Sequence, residues 1–331
     1  MTAPSLWQRV RAEGLSTLAV LGMTKNTGKT VTLNHLLACA ADAGLLHGVT
    51  SIGRDGEAQD QVFAFPKPPI MVWPGTLVAT ARDTLARSKV PYQMLAGTGI
   101  DSPMGEVLLV RARGHGAMEV AGASRSSDLQ TLIALQKAQG CSLVLLDGAL
   151  GRSHHASPAV ADGVVLATGA ALGGGVQDVL RKTRERLALL AIAPAEEPLR
   201  ALCAPVFAQG GVGAWDGQGR LLLLQPIATL NAAPALLALA ACGVQTIAVS
   251  GAVGRALWQG LLELAQGAVR LTLVVTDGTR LFVEAAQLAA LARLGGELRA
   301  WHAIRVVGLT LNPFSPLGTS FSAPAFLAEA R

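Results

Sequence analysis

The sequence predicts an α/β protein: a mostly parallel, doubly wound sheet followed by a second α/β half. Three observations carry that expectation. Short apolar runs recur along the chain with room for a helix between most of them. Many are apolar throughout rather than alternating, as a strand covered on both faces requires. Most end in small or polar residues, and amphipathic segments follow them, which is the pattern of repeated βα units.

In chain order, "STLAVLG" (16–22) reads as the first strand and "TVTLNHLLACAADAG" (30–44) as a helix that Gly44 can close. "GVTSIGRDGE" (48–57) begins as a strand and ends as a polar loop. The proline-dense "FPKPPIMVWPG" (65–75) is expected to be extended and to lie on the surface. "EVLLVRAR" (106–113) and "AMEVAGA" (117–123) read as a strand pair joined through Gly114 and Gly116. "SRSSDLQTLIALQKAQG" (124–140) has a Ser/Asp start and a Gly stop, so it reads as a helix. "CSLVLLDGA" (141–149) and "DGVVLATGA" (162–170) are buried strands.

The second half repeats the idiom. "VQTIAVSGAVG" (244–254), "VRLTLVVTDGTR" (269–280) and "RVVGLTLNPFSP" (305–316) read as strands, with helices in "ALWQGLLELAQG" (256–267) and "LFVEAAQLAALARLGG" (281–296). Residues 194–219, rich in Pro, Gly and Ala, are the softest stretch. The expected domains are therefore 1–195 and 196–331.

Composition narrows the functional classes. With 51% hydrophobic and 15% charged residues, long disordered stretches are not expected. The longest uncharged run, between Arg220 and Arg255, could span a bilayer by length. Pro226, Pro234 and Gly243 break it into strand, turn, short helix and strand, so no membrane association is expected. The N-terminal "MTAPSLWQRVRAEG" carries charge and no apolar block, so cytoplasm is the expected compartment. Cys39, Cys141, Cys203 and Cys242 are far apart and read as reduced, mostly buried residues. The net charge of +5 is scattered, and "RKTRER" (181–186) reads as a solvated helix face. With 4% aromatics and no stacking platform, no nucleic-acid partner is expected.

The informative motif is "GMTKNTGKTV", between the first strand and its helix. A strand that turns directly into a helix leaves the first helical N–H groups unpaired, and with the positive helix end they form an anion site. Gly28 allows close backbone approach, Lys29 supplies charge to phosphate oxygens, and Thr30 offers a hydroxyl to Mg²⁺. Lys25, Asn26, Thr27 and Val31 complete the loop and the first helical turn. The common phosphate-loop pattern sets its first Gly five residues before the second; here Met23 stands there and Gly22 lies six before Gly28.

"SLVLLDGALGR" runs an apolar strand into Asp147, a carboxylate placed to meet Mg²⁺ directly or through water. In "SIGRDGEAQD", Asp55, Glu57 and Asp60 could complete the metal shell and Arg54 could meet phosphate. Arg152 suits a phosphoryl oxygen, whereas the neighbouring His154 and His155 read as polar surface and His115 as turn. Ser250, Thr276, Asp277 and Asn312 all fall at the carboxyl ends of expected strands, the edge where open parallel sheets bind ligands. Ordinary turn chemistry is the leading reading of them.

The G-x5-G-K-T loop resembles that of dethiobiotin synthetases and cobyrinate-type amide synthases, which implies a sheet of the P-loop NTPase type. In that group the strand equivalent to 143–149 ends Glu-Gly-Ala rather than Asp147-Gly148-Ala149, so equivalence of role is not assured. Asn312-Pro313 is similar to the segment carrying that group's adenine-contacting Asn.

Beyond the two motifs, "GTGIDSPMGEVLLVRARGHGAMEVAGAS", "LLDGALGRSHHASPAVADGVVLATGA" and "TLNPFSPLGTSF" resemble accessory proteins of adenosylcobalamin-dependent aminomutases, of the lysine 5,6-aminomutase reactivase small-subunit type. That resemblance implies an ATP-binding, Mg²⁺-dependent reactivating factor. Its implied partners are lysine aminomutase and a MutS-like reactivase subunit, with a homodimer left open. Read from the motifs themselves, Lys29, Asp147, Asp55 and Arg152 are the candidate catalytic residues. Thr30, Asp55 and Asp147 would serve the metal, and Gly22, Lys25, Asn26, Thr27, Gly28, Lys29, Thr30, Val31 and Asn312 the nucleotide. Two alternatives stay open: an ATP-dependent carboxylate-activating synthase, and a nucleotide-binding scaffold without turnover.

Overall fold

A computed structural model describes residues 4–51, 69–149, 160–267, 270–316 and 318–331. The protein is α/β, with a large, mostly parallel mixed sheet. The chain forms two compact units: Met1–Thr183 together with Arg305–Arg331, and Arg184–Ile304.

In the first unit the elements run α1 (Leu6–Ala12), β1 (Thr17–Gly22), α2 (Lys29–Asp42), β2 (His47–Ser51), β3 (Ile70–Val72), β4 (Leu77–Ala81) and α3 (Arg82–Leu85). They continue with β5 (Tyr92–Ser102), β6 (Gly105–Ala112), β7 (Gly116–Met118), α4 (Ser126–Ala138), β8 (Leu143–Ala149), β9 (Gly163–Gly169) and the start of α5 (Val176–Leu190). The second unit holds the rest of α5, then α6 (Leu199–Gln209), β10 (Val212–Asp216), β11 (Leu221–Gln225), α7 (Ala233–Leu237), β12 (Val244–Val249) and α8 (Arg255–Gly267). After these come β13 (Thr272–Val275), α9 (Ala285–Arg293) and β14 (Glu297–Ala300). The chain then returns to the first unit with β15 (Val306–Asn312) and α10 (Ala323–Ala330).

The first sheet has the order β15-β9-β1-β8-β2-β4-β6-β5. From β15 to β4 the pairings are parallel, and β6 and β5 add antiparallel strands at one edge. Its central strands are apolar throughout because both faces are covered. Leu18, Val20, Val49, Leu145 and Val165 share one core with Leu33, Leu36 and Leu37 of α2. Gly48 faces the other way, where a Cβ would meet Gln136 of α4 and Cys141. Helices α2 and α4 thus lie against opposite faces of the sheet.

The second sheet, β11-β10-β12-β13-β14, is parallel from β12 to β14 and antiparallel at β10 and β11. Strand alternation sorts its two faces. Ile247, Val249, Leu273 and Val275 pack with Trp258 and Leu261 of α8, whereas Ala248 and Val274 pack with Cys203 and Val206 of α6.

Several elements differ from the sequence reading. Ile70–Val72 is not surface-lying: Ile70 and Val72 are buried, and β3 pairs antiparallel with β7. The runs 106–113 and 117–123 are not paired with each other; β6 lies between β4 and β5. Residues 194–219 form α6 and β10 rather than a linker, with Cys203, Val206 and Trp215 buried. The expected second domain at 196–331 also differs from the observed unit, because β15 pairs with β9 in the first sheet. The uncharged run after Arg220 does form strand, turn, short helix, turn and strand, and no described helix is long and apolar enough to cross a membrane.

Candidate functional site

Strand β1 ends at Gly22 in the centre of the first sheet, and the chain turns through residues 23–28 into α2. Three local features shape the turn. Met23 N–H donates to the Ala167 carbonyl at the neighbouring end of β9 (2.8 Å). Thr27 Oγ1 donates to the Thr24 carbonyl (2.8 Å), and a Cβ on Gly22 would lie 2.9 Å from Thr27 Oγ1. Asn26 and Gly28 take left-handed backbone conformations (φ 62° and 86°), which asparagine and glycine tolerate best. Gly28 is the N-cap of α2 and brings no side-chain cap to the helix start.

Opposite this turn lies Asp147. In the pairing register Val20 is beside Asp147 and Gly22 beside Ala149, so the carboxylate sits at the same sheet edge as the turn. Asp147 is 1% exposed and Lys29 15% exposed, and Lys29 Nζ stands 3.0 Å from Asp147 Oδ1. A buried carboxylate is costly without a cation and hydrogen-bond donors. Here the cation comes from the residue that follows the glycine cap. Thr30 is buried on the first turn of α2 and Val31 is 61% exposed; Lys25 and Asn26 are exposed on the loop.

β15 supplies the remaining wall. Asn312 Nδ2 donates to the Asn26 carbonyl (2.8 Å), and its Oδ1 accepts from Phe314 N–H (3.2 Å). Thr310 Oγ1 and Thr32 Oγ1 are hydrogen bonded at 2.9 Å, while Thr32 Oγ1 also reaches the Gly28 carbonyl at 3.1 Å. The sequence reading missed Thr310 and Thr32. Their signal was present, since Thr310 and Asn312 are the polar positions at period two in "GLTLN" and so share one strand face.

The structure therefore brings together Gly22, Thr27, Gly28, Lys29, Thr30, Asp147 and Asn312 at one sheet edge. Arg54, Asp55, Glu57, Asp60, Arg152, His154 and His155 lie outside the described residues. His115 stacks at a tilt on Trp73, with centroids 5.0 Å apart, near the start of β7. Ser250, Thr276 and Asp277 belong to the second unit, whereas Asn312 belongs to the first. Ser250 Oγ is occupied by Gly211, accepting from its N–H (2.8 Å) and donating to its carbonyl (3.1 Å). Thr276 Oγ1 donates to the Ser250 carbonyl (2.5 Å). Of the cysteines, Cys141 and Cys203 are buried, Cys39 is half-buried and Cys242 is exposed, and all four are free thiols.

No protein-family model matches the chain, and neither does any curated protein or solved structure.

Proposed function

We propose that the chain is a Mg·ATP-binding ATPase of the P-loop type that works as a reactivating factor for an adenosylcobalamin-dependent lysine aminomutase, together with a MutS-like partner. The nucleotide part rests on one observation: a glycine-capped helix start whose own lysine is held 3.0 Å from a buried carboxylate on the adjacent parallel strand. The choice of aminomutase and partner rests on the sequence resemblance.

The residues fit the nucleotide and its metal. The N–H groups of the first turn of α2 and the positive helix end suit phosphate oxygens. Among the described residues no group of three His, Cys, Asp or Glu could hold a metal by itself. Magnesium bound with a nucleotide needs only one or two carboxylates, with phosphate oxygens and waters completing the shell. Asp147 and the Thr30 hydroxyl supply the protein's share, and bound Mg²⁺ would neutralise charge developing on the phosphates.

Lys29 then has two roles. Without nucleotide it compensates the charge of Asp147. With nucleotide bound, Lys29 would meet the phosphate oxygens and Asp147 would serve the metal shell. The difference between the two arrangements is what a switch would need to drive adjoining loops.

The test is phosphate release from Mg·ATP by wild type and Lys29→Ala, alone and with aminomutase and the partner. Turnover that depends on Lys29 and rescues inactivated mutase is the expected result. Phosphate release that requires an added carboxylate substrate would replace this reading with a carboxylate-activating synthase. Nucleotide binding with no turnover under any condition would leave a scaffold.

A further inference from the structure

We propose that Asn312 is the positioning residue of the phosphate loop: from the C-terminal strand β15, its side-chain amide fixes the Asn26 carbonyl and so sets the direction of the loop's N–H groups. The inference rests on the nucleotide reading above. It assigns Asn312 to holding the loop rather than to contacting the base.

Asn26 is, among the described residues, the non-glycine with a left-handed backbone, at φ 62°. That conformation is tolerated by asparagine but not strongly preferred, so something must hold it. Asn312 Nδ2 does so through the 2.8 Å bond to the Asn26 carbonyl. With that carbonyl held toward β15, the Thr27 N–H of the same planar trans peptide points the opposite way. The other end of the amide is fixed as well, because Oδ1 accepts from Phe314 N–H at 3.2 Å. A side chain bonded at both ends has little rotamer freedom left to lose.

Two glycines make room for it. A Cβ on Gly28 would come within 3.2 Å of Asn312 Cβ. A Cβ on Gly169, the register partner of Asn312 on β9, would fall 2.2 Å from the Asn312 carbonyl oxygen. The Thr310–Thr32 bond of 2.9 Å ties the same strand to the first turns of α2. Strand β15 thus grips the turn on both sides of Gly28. It lies on the far side of the whole Arg184–Ile304 unit in sequence, so the site is completed only when the chain returns.

Asn312→Ala and Asn312→Asp test this, with Thr310→Val as a comparison. The first readout is amide hydrogen exchange of 23–31 without nucleotide. Both Asn312 variants should exchange faster there and unchanged in α4 and the second unit. The second readout is Mg·ATP binding and turnover: the dissociation constant and KM should rise about tenfold with kcat largely kept, since a misplaced loop costs binding geometry. Asn312→Asp keeps the shape but loses the donor, so it serves if Asn312→Ala does not fold. Unchanged loop exchange, or affinity within about twofold of wild type in a folded variant, overturns the proposal. If the wild-type chain binds no Mg·ATP, the nucleotide reading falls and loop exchange alone decides the clamp.

Discussion

Two strands in this molecule end in Asp-Gly at the carboxyl edge of a parallel sheet, and the two aspartates do different work. β8 ends in Asp147-Gly148-Ala149, and β13 leads into Asp277-Gly278-Thr279. Both carboxylates are buried, at 1% and 0% exposure. Asp147 faces Lys29, delivered from a neighbouring strand by a loop and helix start. Asp277 spends Oδ1 on its own turn, accepting from Thr279 N–H (2.8 Å) and Thr279 Oγ1 (2.5 Å). A strand-end aspartate is therefore not a site by itself. Asp147 meets a cation from another element, whereas Asp277 Oδ1 is held by the turn that follows it while its charge acts on Arg186 and His302.

The comparison breaks most severely at Gly278. A Cβ there would lie 1.7 Å from the Leu189 carbonyl oxygen, a backbone atom that cannot swing aside. Gly278→Ala should destabilise the second unit by about 3 kcal/mol or more, as overpacking against fixed backbone does. A thermal or denaturant transition of that unit unchanged from wild type would contradict the packing described here.

Exchanging the carboxylates for amides sharpens it. Asp147→Asn should cut Lys29-dependent phosphate release by about a hundredfold, in line with removing one charged group from a transition-state site. It should also lower stability, by up to about 3 kcal/mol, because Lys29, only 15% exposed, loses that counter-charge. Asp277→Asn should leave turnover intact and cost about 1–2 kcal/mol of stability. Equal effects on turnover would erase the distinction between the two strand ends.

The smallest expected effect contrasts the units by pH. Burial holds the His47 imidazole below its ordinary value. Its Nδ1 lies 2.8 Å from the Leu45 carbonyl, which can only accept, so Nδ1 carries the proton and Nε2 accepts from Thr76 Oγ1 at 2.9 Å. Below about pH 6.5 the unfolded chain takes up a proton that folded His47 refuses. Stability from this group is therefore complete above that pH and declines as pH falls below it, by at most about 1.4 kcal/mol per pH unit. His302 in the second unit is also lowered, by burial first and then by Arg200. His47→Asn should flatten the acid dependence of the first unit's transition and leave that of the second unit alone. An unaltered slope in the first unit would show that His47 does not carry it.

How much was legible follows from the range of each interaction. The buried runs at 16–22, 141–149 and 162–170 were readable as β1, β8 and β9 because a strand covered on both faces needs unbroken apolar sequence. β5 was not, since it is an edge strand with exposed Tyr92 and Met94 and interrupting glycines. α6 hid behind its composition: Pro205 lies inside the helix, and small residues mask the buried Cys203 and Val206. At the site, Gly28, Lys29 and Thr30 were legible as a local pattern, and Asp147 as a polar residue ending an apolar run. The bond between Asn312 and Asn26 spans the length of the chain, and no local period announces it.

The sequence alone determined that β1, β8 and β9 are buried strands and that a helix begins behind Gly28, because both depend on side-chain period and on backbone freedom at single residues. The buried strands β3, β4 and β10 were not read from it. Tertiary structure decided which strands are neighbours. Apolar parallel strands are interchangeable in pattern, so only three-dimensional packing could place β15 beside β9, bring Lys29 to Asp147, and leave Asp277 to its own turn.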